Sequence, residues 1–111
     1  MNILPEVERE KEYLIFTRRH LHQNPELSLK EFETAAFIEQ QLDSFGITRR
    51  RVGKTGVLGI ITGKESGKTV LLRADIDALP IHEETGRSFH SKNAGIMHAC
   101  GHDVHTAALL G

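Results

Sequence analysis

Between Met97 and His105 the chain reads Met-His-Ala-Cys-Gly-His-Asp-Val-His, which holds its single cysteine and three of its seven histidines. A lone thiol has no intrachain disulfide partner, and thiolate and imidazole are side chains that bind transition metals. Cys100 and His102 stand one residue apart. On an extended backbone both would point the same way and share or flank one ion. Zinc takes a thiolate at about 2.3 Å and an imidazole nitrogen at about 2.0–2.1 Å, usually within a set of four ligands. Two ligands alone make a weak site. Two other readings stay open at this point: a free cysteine serving as a small hydrophobe beside surface or helix-capping histidines, and a thiol nucleophile activated by an imidazole. The second is disfavoured, because nucleophile and base usually come from distant chain positions.

A second cluster lies upstream in Arg73-Ala74-Asp75-Ile76-Asp77-Ala78-Leu79-Pro80. In an extended segment Asp75 and Asp77 project to one side. They follow the unbroken apolar run Thr69-Val70-Leu71-Leu72, which predicts a strand covered on both faces, as central strands of α/β folds are. Ligands in such folds collect at the strand's carboxyl end. The plainer alternative is that the aspartates cap a turn or pair with Arg73. An aspartate pair at a strand end and a Cys-x-His entering a helix together fit an α/β metallohydrolase.

The elements that must position these residues follow from periodicity and breakers. Val7, Leu14 and Leu21 recur at seven-residue spacing and predict an amphipathic helix from Pro5 to about Gln23, ended by Asn24-Pro25. Ser28-Leu29-Lys30-Glu31 has the pattern of a capping box, from which a second helix should start. Its apolar face would be Phe32, Ala35, Ile38, Leu42 and Phe45, with Gly46 as the stop. Strands are expected at Ile47–Val52 and Val57–Thr62, joined through Lys54-Thr55-Gly56, with a hairpin connection at Glu65-Ser66-Gly67-Lys68 before the apolar strand. Ile81 to Ile96 reads as a surface loop, and His102 to Leu110 as the start of a helix.

The 111 residues suffice for one domain, and 14 basic against 15 acidic residues leave a net charge of −1. That balance favours neither nucleic acid nor anionic lipid as a partner. One cysteine fits a reducing compartment, so the expected location is cytoplasmic. The charged N-terminus lacks a signal-peptide core, and no apolar run approaches the roughly 18 residues of a membrane span.

Several ordered motifs carry a resemblance: Leu72-Arg73-Ala74-Asp75-Ile76-Asp77-Ala78-Leu79-Pro80-Ile81, Glu83-Glu84-Thr85-Gly86, Ser91-Lys92-Asn93, and Met97 through Thr106. Arg18-Arg19-His20-Leu21-His22 through Pro25-Glu26-Leu27-Ser28, with Glu31, adds to it. Together they resemble the metal-dependent amidohydrolases that include hippurate hydrolase, N-acyl-amino-acid amidohydrolase and the auxin-conjugate hydrolases. The resemblance implies an α/β fold in which residues 1–111 form the N-terminal segment of a metallopeptidase-like catalytic domain, incomplete by itself. The rest of that domain and a lid or dimerisation domain would be absent from this chain. It implies two divalent ions per full-length site, zinc or manganese, with cobalt and nickel as further options, and N-acyl amino acids as substrates. Cys100 and His102 match the first two metal ligands. Asp75 stands where related peptidases have a ligand histidine, so Asp75 and Asp77 are assigned to the surroundings of the ligands. The general base is expected downstream, leaving no catalytic residue in this segment, and Glu83-Glu84 is expected to be a solvated loop. A homo-oligomeric full-length protein stays open. The competing expectation is a truncated, non-catalytic product that at most binds one metal weakly and tends to aggregate.

Overall fold

The computed structural model describes residues 1–111. It is a mixed α/β arrangement of helices, a two-stranded hairpin and a final helix: α1 (Pro5–Arg9), α2 (Lys11–Gln23), α3 (Phe32–Ser44), β1 (Thr48–Val52), β2 (Gly56–Ile60) and α4 (His102–Leu110). The single helix expected before Asn24 is divided at Glu10, whose amide bonds to the Val7 carbonyl at 3.1 Å and whose carbonyl receives the Leu14 amide at 2.9 Å.

The second helix starts later than the Ser28–Glu31 pattern predicts. Leu29 takes φ +66°, and the Lys30 amide closes a turn onto the Leu27 carbonyl at 3.0 Å. The first free amides of α3 are met instead by the Glu26 carboxylate: Oε2 accepts from Glu33 N at 3.2 Å, and Oε1 accepts from Thr34 N and Thr34 Oγ1, each at 2.6 Å. A carboxylate there also faces the positive end of the helix dipole. The expected stop is confirmed. Gly46 takes φ +70°, its amide bonds to Asp43 O at 3.0 Å, and Ile47 N reaches Leu42 O at 2.9 Å, the paired bonds of a Schellman ending.

The hairpin pairs antiparallel from Thr48 opposite Ile60 to Val52 opposite Gly56. Helix α3 lies against it, and the Leu42 methyl carbons come so close that a Cβ on Gly59 would meet them at 3.3 Å. Arg49 pairs with Asp43 and Glu39, and Arg51 with Glu39, fastening β1 to α3 at the surface. On the other side α2 contacts α4. The buried apolar core is Leu21, Ala35, Ile38, Leu42, Ala78 and Ala107, so it lies mainly between the helices.

The strand expected at Thr69–Leu72 is not formed, and Val70, Leu71 and Leu72 are 79%, 77% and 71% exposed. A strand needs a neighbour to accept its amides, and the only sheet is β1–β2. For the same reason Glu65–Lys68 does not connect a hairpin. From Ile61 to Gly101 the backbone is tied to the rest of the chain by two isolated bridges, Leu27 with Ala78 and Leu79 with Met97, and by the Lys92 amide on the Gln23 carbonyl. No helix is long and apolar enough to cross a membrane.

Candidate metal centre

Helix α4 is introduced by Gly101, whose φ of +110° is open to glycine and costly for other residues. This turn replaces the extended geometry on which Cys100 and His102 would project together. Cys100 is a free, exposed thiol. The His102 side chain is 20% exposed and turns toward the 75–77 segment.

There its Nδ1 lies 2.9 Å from Asp77 Oδ1 and 3.0 Å from the Asp77 carbonyl oxygen. Both neighbours are acceptors, so Nδ1 carries the proton and, in the neutral ring, Nε2 keeps its lone pair. That tautomer is the one a metal-ligating histidine adopts when a carboxylate orients it. Asp75 Oδ2 stands 4.0 Å from Nε2. Asp75 is itself held by Arg73, at 3.1 Å from Nε and 2.8 Å from Nη2. The Arg73 hydrogen bonds and then its charge hold the Asp75 carboxyl below its ordinary value. Thr106 Oγ1 donates to the Asp75 carbonyl at 2.9 Å, so this segment is fastened to α4 at two positions one turn apart.

The two aspartates and His102 are thus brought together, but no group of three or more His, Cys, Asp or Glu is placed to hold a metal ion. The donor chemistry at Cys100 and His102 fits a divalent ion; the number of donors falls short of a complete set.

Behind α4 lies a network that the sequence reading missed. His22, 3% exposed on the last turn of α2, places Nδ1 2.8 Å from Asp103 Oδ2 and Nε2 2.9 Å from Glu83 Oε1. Arg18 Nε donates to the same Asp103 oxygen at 2.9 Å. Glu83, expected in solvent, has a side chain only 4% exposed, and it accepts from Ser91 N at 2.9 Å and from the Thr85 hydroxyl. Burial raises its pKa, but bonds from Thr85, the Ser91 amide and His22 outweigh that and hold the carboxyl below its ordinary value. Phe89 meets the His22 ring edge-on at 5.6 Å, with the Arg18 and Arg19 guanidiniums 5.0 and 4.8 Å from its centroid. The signals for this network were the Arg-Arg-His-Leu-His, Glu-Glu-Thr-Gly, Ser-Lys-Asn and Cys-Gly-His-Asp motifs, none of which assigned a role to His22 or Asp103 or a buried position to Glu83. His98 is also buried, with no partner for either ring nitrogen, and burial lowers its pKa against the opposing pull of Asp103.

Comparison with known proteins now bears on this geometry. Residues 71–111, which include both aspartates, Cys100 and His102, match the family model described as Peptidase family M20/M25/M40. The chain is 62% identical over 99 residues to an N-acetyl-L-cysteine deacetylase of Bacillus subtilis, covering 88% of this chain and 24% of that protein. It is 52% identical over 106 residues to an N-acyl-L-amino acid amidohydrolase of Geobacillus stearothermophilus, covering 95% of this chain and 29% of the relative. Among solved structures, a Bacillus subtilis protein described as a dinuclear metal binding peptidase from M20 family superimposes with a TM-score of 0.89 at 48% identity. That superposition covers 93% of this chain and 30% of the other. The chain therefore spans under a third of the length of each. With the family model matching residues 71–111 and the relatives aligning over nearly all of its residues, this chain is similar to the N-terminal segment of proteins of peptidase family M20/M25/M40.

Proposed function

We propose that the protein carrying this chain is a metal-dependent amidohydrolase that cleaves the amide bond of N-acyl amino acids. The observation that carries the reading is the His102 ring, whose Nδ1 is committed to Asp77 and whose Nε2 is left to ligate. The names of the deacetylase and amidohydrolase relatives support the substrate class, and the dinuclear relative supports a pair of divalent ions. Cys100 and His102 would hold the metal. Asp77 takes the Nδ1 proton into a hydrogen bond and fixes the ring, and Asp75 places negative charge on the Nε2 side. When bound, a divalent ion such as zinc, manganese, cobalt or nickel supplies Lewis acidity to an amide carbonyl. The general base and remaining ligands lie outside residues 1–111, in the rest of the catalytic domain, with a lid or dimerisation domain elsewhere in the protein. The location is cytoplasmic.

The missing third donor supports a second reading for the 111 residues alone: weak metal binding without turnover. Hydrolysis of N-acetyl and N-benzoyl amino acids by the intact protein tests the proposal. Activity should vanish with chelator, return with metal, and be lost in Cys100→Ala. Activity that survives chelator and dies with a thiol alkylator would mean cysteine chemistry instead. The 111-residue chain alone should show no turnover.

A further inference from the structure

We infer that His22 is a positioning residue for the metal centre, a buried clamp that fixes the first turn of α4 and with it the ring of His102. The inference rests on the metal reading of Cys100 and His102. Asp103 directly follows His102 and is 1% exposed. Its Oδ2 accepts from His22 and Arg18, at 2.8 and 2.9 Å, and its Oδ1 lies 3.0 Å from Val104 N. Three donors leave this carboxylate no freedom to rotate. Successive helix residues point about 100° apart, so α4 is gripped at its start from two directions: Asp77 holds His102, and His22 holds Asp103.

The other end of the clamp is Glu83, which gathers the loop after Pro80 through Ser91 and Thr85. Lys92 N on Gln23 O at 2.9 Å and Asn93 Nδ2 on Pro25 O at 3.2 Å complete the attachment of that loop to the end of α2. One imidazole thereby joins three segments distant in sequence. Stability alone gives a poor account of this choice. Taking two carboxylates and the doubly protonated ring that donates to both out of water carries a desolvation cost that apolar side chains of similar volume avoid. What the polar arrangement adds is direction, because hydrogen bonds fix the angle at which α4 leaves Gly101 and apolar contacts do not.

Cobalt binding to the intact protein tests this, read by the Cys100 thiolate-to-cobalt absorption and by competition with a chelator, at a temperature where every variant is folded. His22→Gln should bind Co²⁺ more weakly, by about tenfold, the low end of the effect of losing a group bonded directly to a metal-ligating side chain. Leu42→Ala, in the core against the hairpin, should melt earlier yet bind as the parent does. Equal affinity in His22→Gln, or an equal loss in Leu42→Ala, overturns the clamp. If His22→Gln does not fold, Asp103→Asn, which weakens the same contact from the α4 side, stands in for it with the same two outcomes. A parent protein with no Cys100-dependent cobalt signal removes the metal reading itself, and the clamp with it.

Discussion

Asp77 meets the His102 ring twice, through its carboxylate at 2.9 Å and through its own carbonyl at 3.0 Å. The carbonyl contact cannot be removed by changing the side chain, whereas the carboxylate contact can. The two bonds therefore separate ring orientation, which both support, from ring basicity, which only the charged carboxylate raises.

Asp77→Asn keeps an acceptor and the backbone contact, so the ring should stay in place while the ligand becomes a weaker base. Asp77→Ala removes the side-chain bond altogether. Metal affinity of the intact protein should fall about 10- to 100-fold in Asp77→Ala and less in Asp77→Asn. Titration against a chelator of known affinity measures both. Equal affinities in all three proteins would remove Asp77 from the site.

The depressed pKa of Glu83 makes stability depend on pH with a definite sign. Burial alone would raise it; Thr85, the Ser91 amide and His22 bring it below the ordinary value. The unfolded chain then binds the proton first as pH falls past about 4.3, so the Glu83 contribution is complete above that value and lost as pH drops through the folded one. Chemical denaturation of parent and Glu83→Gln between about pH 6 and about pH 3 should show a shallower acid limb in the variant. Parallel limbs would contradict the assignment.

Legibility in the sequence followed the range of the interaction. Although the second helix starts at Phe32 and leaves Phe32 and Phe45 exposed, its Ala35, Ile38 and Leu42 face and its Gly46 stop are local matters, set by three- and four-residue spacing and by one left-handed residue, and both were legible. The Thr69–Leu72 strand was not, since an apolar run records a preference for burial but carries no partner to pair with. The burial of Glu83 is not legible because the histidine it meets is 61 residues away, and nothing in a Glu-Glu pair announces that. Asp75 shows both outcomes at once: pairing with Arg73 is the plain alternative in the sequence, and the structure contains it alongside the approach to His102.

Glu26 takes the role that the Ser28–Glu31 pattern implied for Ser28. Its carboxylate serves the amides of Glu33 and Thr34, and Ser28 is exposed. Glu26→Ala should cost about 1–2 kcal/mol, the usual effect of losing a helix cap, and Ser28→Ala should be close to neutral. Urea unfolding of the two variants distinguishes them, and the reverse order of stabilities would restore the serine cap.

Two glycines of the α3–hairpin unit should respond to alanine for different reasons. At Gly46 a Cβ would meet nothing within 4 Å, so Gly46→Ala carries only the strain of φ +70°, about 1–2 kcal/mol. At Gly56 φ is ordinary, but a Cβ would sit 2.6 Å from the Val52 carbonyl oxygen. Val52 is the residue paired with Gly56 at the closed end of the hairpin, so neither backbone can yield without opening the turn. Gly56→Ala should therefore disturb the hairpin itself, seen as faster amide exchange across Thr48–Val52, while Gly46→Ala should lower the unfolding midpoint and leave that exchange pattern intact. Gly46→Asn, which tolerates the left-handed region better, should recover part of the loss at Gly46; no such replacement exists for Gly56, where the obstacle is an atom and not an angle.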